Sequence, residues 1–173
     1  MVKNTDENAK ITEERLRLEA TIESIGDGFI AIDESGKINK VNKPALSFLG
    51  CEESDLLGKW FPDVVKDIDN DGRPVPATDR LVTKSLQTGE SVSGTSNYVR
   101  KDGSVFPVFI TASPIILDNK PIGSIEIFRD ITKEVESQKE AERHTKEIER
   151  MNKFMVGREL KMVELKKKIK SLK

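Results

Sequence analysis

The spacing of hydrophobic positions changes repeatedly along this chain, and each change marks an element. In residues 5–25, Ile11, Leu18, Ile22 and Ile25 recur on a narrow stripe among Glu, Arg and Lys, which predicts an amphipathic helix. Gly26-Asp27-Gly28 ends it. Residues 29–33, FIAID, form a short apolar run, 34–37 a polar turn and 38–42, INKVN, a second run, together predicting a hairpin. From Lys43 the period becomes helical, with Ala45, Phe48 and Leu49 on one face and Gly50 as the stop. Residues 54–65 predict one or two turns interrupted by Gly58 and Pro62, residues 66–77 a polar loop, and residues 78–89 a clearer helix. In that helix Leu81, Val82 and Leu86 are the buried candidates and Gly89 is the stop.

Three strands are then predicted. Residues 91–100 run to a Lys101-Asp102-Gly103 turn. Residues 104–116 alternate, which puts Val108, Ile110 and Ala112 on one face and Phe109, Thr111 and Ser113 on the other. A turn at 118–121 leads into 122–128, and Asp130-Ile131-Thr132 opens a last helix. Strand runs separated by a helical block predict an α+β fold with an antiparallel sheet, not alternating βαβ units.

From Val135 onward the period is seven. Ala141, Ile148, Met155, Met162 and Ile169 share one heptad position, and Ser137, His144, Met151, Arg158, Leu165 and Leu172 lie three residues on. This predicts a two-stranded coiled coil, and burying its stripe calls for a parallel homodimer. Gly157, at a helix-propensity cost of about 1 kcal/mol, predicts a local break or kink.

Charge sharpens this division. Residues 1–132 hold 16 Lys and Arg against 22 Asp and Glu, while residues 133–173 hold 13 against 8, and all seven prolines precede residue 122. A mildly acidic globule is therefore followed by a basic helix. The six lysines among the last thirteen residues read as a solvated coiled-coil face rather than a nucleic-acid or membrane site, because the heptad continues through them. A lone Cys51 leaves no internal disulfide and fits a reducing compartment. No apolar run approaches the length of a membrane span and the N-terminus has no signal-peptide core, so a cytoplasmic location is expected.

Four segments resemble the PAS family over residues 20–132. They are DGFIAIDESGKINKVN ending in Asn42, ALSFLGCEESDLLGK punctuated by Gly50 and Gly58, YVRKDGSVFPV at 98–108, and FRDIT at 128–132. The resemblance implies a five-stranded antiparallel sheet with short helices on one face, divided as an N-terminal helix (1–25), a PAS domain (26–132) and a signalling helix (133–173). It also implies a sensory role relayed through Asp130, Ile131 and Thr132 to an effector such as a histidine kinase. A ligand-free dimerisation scaffold and an input fragment of a larger kinase are the alternatives. In the exit segment Asp130 or Thr132 is suited to cap the first amides of the helix.

The pocket that the family fold implies takes Asn42, Trp60, Phe61, Leu81, Asn97, Val108 and Ile110 as candidate lining residues. Cysteinyl-flavin chemistry is argued against, since Trp60 and Phe61 follow Gly58-Lys59 where that branch has a cysteine. Histidine-ligated haem is argued against too, because the only histidine, His144, lies in the last helix. Non-covalent flavin stacked on Trp60 and Phe61 stays open, against plain core packing. Asp67, Asp69 and Asp71 with Gly72 match half a calcium loop, but Thr78 stands where a bidentate glutamate belongs, which favours an acidic solvated loop. His144 lacks the acidic neighbour and nearby proline of a phosphoacceptor, and neither a kinase nucleotide box nor a nucleophile motif occurs. No catalytic residue is therefore expected.

Overall fold

The computed structural model describes the backbone of residues 3–171 and the side chains of 10–165, 167 and 171. The elements in chain order are α1 (Lys3–Glu23), β1 (Gly28–Asp33), β2 (Ile38–Val41), α2 (Lys43–Leu49), α3 (Glu53–Leu56), α4 (Phe61–Val64), β3 (Lys66–Ile68), a 3₁₀ turn (Ala77–Asp79), α5 (Leu81–Thr88), β4 (Val92–Val99), β5 (Val105–Leu117), β6 (Lys120–Asp130) and α6 (Thr132–Ser171). Residues through Thr132 form one compact unit and residues from Lys133 a second.

All strand pairs are antiparallel and the sheet order is β2-β1-β6-β5-β4-β3. The sheet has six strands where five are expected from sequence. The extra one is β3, inside the stretch read as a polar loop: Lys66, Asp67 and Ile68 pair with Val99, Tyr98 and Asn97. Three residues with alternating Lys, Asp and Ile carry too little apolar signal to announce a strand, so tertiary pairing decides it.

Alternation along β5 is as its sequence predicts. Phe106, Val108, Ile110 and Ala112 are buried, while Val105, Phe109 and Thr111 face outward. The inward set meets Ala45, Leu49, Leu56, Phe61 and Val82 from the helices to form the core. At about 25 cal/mol per Å² of apolar surface removed from water, this burial is the dominant favourable contribution to the fold. The β5–β6 connection is a two-residue turn in which Asp118 and Asn119 both have positive φ, at 49° and 60°, as a primed hairpin turn demands. Pro121, second in β6, pairs with Ile116 beside an irregularity in the register, where its missing N–H is tolerated.

The helical block is trimmed relative to expectation. Pro62 lies in the first turn of α4, where a proline needs no N–H donor, so it starts that helix and does not interrupt it. The helix expected from residue 78 begins at Leu81, because the preceding turn is 3₁₀ and Arg80 is extended. Within it Val82 and Ser85 are fully buried, and Leu81 and Leu86 pack at the edge of the core.

In the second unit α6 runs through Gly157 without a break, because each backbone hydrogen bond is worth keeping against a propensity cost of only about 1 kcal/mol. Ile148, Met151, Met155, Met162 and Leu165 are more than half exposed along it, and Ala141 is exposed. Of the predicted seam, Leu172 and the Ile169 side chain lie outside the described residues. No helix among the described residues is long and apolar enough to cross a membrane.

Candidate functional site

Alternation in β6 points Ser124, Glu126 and Phe128 into the core, and Glu126 is fully buried there. Across β5, the hydroxyl of Tyr98 on β4 donates to Glu126 Oε1, and Tyr98 is buried between the rings of Phe106 and Phe128. A second buried carboxylate, Asp67 on β3, accepts from the Ser96 hydroxyl. Arg80, the residue before α5, is the cation near both acids and favours their charged forms. Its guanidinium donates to the carbonyl oxygens of Val65 and Val75 and lies 5.8 Å from the centre of the Phe61 ring.

Burial dictates the electrostatics of this cluster. Desolvation pushes Glu126 up to about 7, opposed by the Tyr98 hydrogen bond and reinforced by the charge of Asp67. It likewise raises Asp67, against the pull of Ser96 and Arg80. Tyr98 is held well above the ordinary phenol range by burial and by the neighbouring Glu126 charge. The set therefore holds a carboxyl poised to gain or lose a proton near neutrality. A cavity of about 270 Å³ adjoins it, lined by Asp67, Arg80, Leu81, Ser96, Asn97 and Ile110. The hydroxyl of Ser85 is buried with no hydrogen-bond partner among the described residues.

The expected pocket residues divide into three groups. Leu81, Asn97 and Ile110 line this cavity together, and Val108 is buried in the core on the same face of β5. Phe61 is a fully buried core ring, whereas Trp60 is 44% exposed. The two meet at a small cleft of about 110 Å³ beside the β1–β2 turn, where the indole covers Gly36, so they do not face each other across the larger cavity beside Arg80. Asn42 is fully buried and directed to the backbone. Its Oδ1 accepts from the amides of Phe29 and Ala45, and its Nδ2 donates to the carbonyls of Ile22, Ile25 and Asp27. It caps α2 and ties the end of α1 to β1.

The acidic triplet does not converge. Asp67 is turned into the core, Asp69 accepts from the amides of Asp71 and Arg73 within its own turn, and Asp71 pairs with the Arg73 side chain at 3.4 Å. Among the described residues no group of three or more His, Cys, Asp or Glu side chains is placed to hold a metal.

At the exit, Asp130 bonds in two directions. Oδ1 accepts from the Thr132 amide at 2.9 Å and from the Thr132 hydroxyl, while Oδ2 accepts from Arg100 at 2.9 Å. Arg100 in turn stacks over Phe106, its guanidinium carbon 3.8 Å from the ring centre. The Ile131 amide donates to Pro107, and Arg129 grips the Asp27 carboxylate through two nitrogens. The last strand is thereby fastened both to the 98–108 hairpin and to the start of β1.

Sequence reasoning missed Glu126, Tyr98 and Arg80. Glu126 lies between Ile125 and Ile127 and reads as the solvent face of a strand. Its parity with Phe128 was the signal that placed it inside.

A family model described as PAS domain matches residues 26–133, more than half of the chain. The chain belongs to the PAS domain family. Its fold is similar to the PAS domain of an HTR-like protein from Haloarcula marismortui, with a TM-score of 0.59 and 27% identity over 73% of this chain and 99% of that one. It is also similar to the PAS domain of nitrogen regulation protein NR(II) from Vibrio parahaemolyticus, with a TM-score of 0.50 and 17% identity over 65% of this chain and 96% of that one. The sensor protein kinase WalK of Staphylococcus aureus is 37% identical over 57 residues, which cover 33% of this chain and 14% of that kinase. This PAS chain thus matches only a small part of that relative's length.

Proposed function

We propose that this chain is a non-enzymatic, cytoplasmic sensory input module. In this reading it is a parallel homodimer that relays the state of its pocket, by ligand or redox change, through a C-terminal coiled coil to an effector such as a histidine kinase. Residues 1–25 act as the N-terminal helix, 26–132 as the sensor and 133–173 as the output helix. The observation that carries the reading is the continuity of β6, which holds buried Glu126 and, four residues on, Asp130 at the base of α6. A ligand or proton that binds two states of the Glu126–Tyr98–Asp67–Arg80 cluster unequally would shift β6 and the Asp130–Thr132 cap with it. The exposed apolar stripe of α6 supports pairing of two such helices, and the kinase relative supports the class of effector.

A second reading is a ligand-free interaction scaffold. It is favoured by the dense filling of the interior by Phe61, Tyr98, Phe106 and Phe128. The chain would also serve as the input segment of a longer kinase under either reading. Native mass spectrometry separates the two, since the sensor reading expects a dimer carrying a bound small molecule or taking one up. Cysteine cross-linking through M155C and M162C in a C51S background then reports the seam. Cross-links that stay the same for every bound ligand and every pH would overturn the relay.

A further inference from the structure

Apart from the buried cluster, a second cavity of about 240 Å³ opens between the α2–α4 helices and the β4–β5 hairpin. Its wall is apolar, formed by Leu49, Leu56, Val64 and Val99, with the thiol-bearing Cys51 beside them. Its charged lining is Lys66, Arg100 and Lys101 against one acid, Asp55. Lys101 pairs with Asp55 at 2.7 Å and Arg100 with Asp130 at 2.9 Å, whereas Lys66 makes no ion pair among the described residues. An apolar hollow edged by an unmatched cation suits one kind of guest. The guest must supply a negative end for the rim and a short hydrocarbon body for the wall.

We infer that this cavity is a binding site for a small organic carboxylate, and that Arg100, shared between the cavity and the exit, couples its occupancy to the Asp130–Thr132 cap. The volume is room for roughly eight water-sized groups at ~30 Å³ each, which matches a six-carbon carboxylate. A carboxylate drawn to Arg100 competes with Asp130 for the same guanidinium. Asp130 then loses the partner on Oδ2 that fixes its carboxylate, which loosens the hold of Oδ1 on the Thr132 amide. The coupling half of the inference rests on the relay proposed above; the binding half stands without it.

Cys51, the only cysteine, is a built-in reporter. Burial first, and then the Asp55 charge, raise its thiol, so alkylation is slow enough to follow. The experiment measures the iodoacetamide alkylation rate of the full chain at pH 8.5 against increasing hexanoate, with hexan-1-ol and inorganic phosphate as the two half-ligands. Saturable protection by hexanoate alone is expected, weakened roughly tenfold in Lys66→Gln, a change at an exposed side chain outside the core. No protection, or equal protection by the alcohol or by phosphate, overturns the site. Amide exchange at Thr132, followed in the same titration, should accelerate with occupancy and should become insensitive to hexanoate in Arg100→Gln. Protection of Cys51 with unchanged exchange at Thr132 overturns the coupling. None of these results bears on the Glu126 cluster, so failure here is distinguishable from failure of the sensory reading.

Discussion

Glu126→Gln isolates the electrostatic work of the buried cluster. In the folded chain the Glu126 carboxyl is pushed up to about 7 from an ordinary value of 4.5. A carboxyl raised on folding stabilises the fold fully below its unfolded value, and that stability is lost as pH rises through the folded value. The window is therefore pH 4.5 to about 7. At about 1.4 kcal/mol per pH unit, the charged form above that window is less stable by roughly 3 kcal/mol. Glutamine keeps an acceptor for the Tyr98 hydroxyl and never ionises. Asp33, Asp55 and Asp102, all outside the core, are held below the usual carboxylate range by their hydrogen bonds, so they act in the opposite sense and at lower pH. They are present in both proteins and cancel in the difference. Urea unfolding of wild type and variant between pH 5 and pH 8.5 measures that difference. The variant should gain on the wild type by roughly 3 kcal/mol across the range. A stability difference independent of pH, or one that falls as pH rises, would refute the assignment of the buried carboxyl.

Other substitutions test the surrounding architecture. Tyr98→Phe removes the hydrogen bond that favours the Glu126 carboxylate, so the pH midpoint of the same stability difference should move upward. Gly123→Ala should cost about 1–3 kcal/mol by thermal or urea unfolding, because a Cβ there would stand 2.3 Å from the Ile32 carbonyl oxygen, and backbone cannot step aside. Asn42→Ala should cost at least about 2 kcal/mol, since it removes the α2 cap and leaves buried groups of β1 and of the turn after α1 without partners. Ser85→Ala should be neutral or stabilising by about 1 kcal/mol in the same assay, as it deletes a buried hydroxyl with no partner among the described residues.

Much of the fold was legible because its signals are local. The period-two pattern of β5 decides which face is buried, Asp118-Asn119 accepts positive φ at both turn positions, and Gly50 and Gly89 close their helices in the left-handed region. The cap at the start of α6 was equally readable, since Asp130 and Thr132 bond within two residues of each other. Sequence alone thus determined the α+β class, the order of the elements other than β3 and the 3₁₀ turn, and the apolar stripe of α6.

Tertiary structure decided the rest, because the rest depends on partners far apart in the chain. β3 exists only through its pairing with β4. Whether Glu126 meets solvent depends on what covers its face of β6, and the cover comes from α5 and from Tyr98, 28 residues earlier. Arg80 reads as a solvated helix cation until an extended residue turns it inward to the Val65 carbonyl. Trp60 looks like a stacking residue, yet it closes over Gly36 at the surface. Hydrophobic periodicity reports how often a side chain returns to a face. Only the assembled sheet and helices decide which polar groups share that face and are taken out of water together.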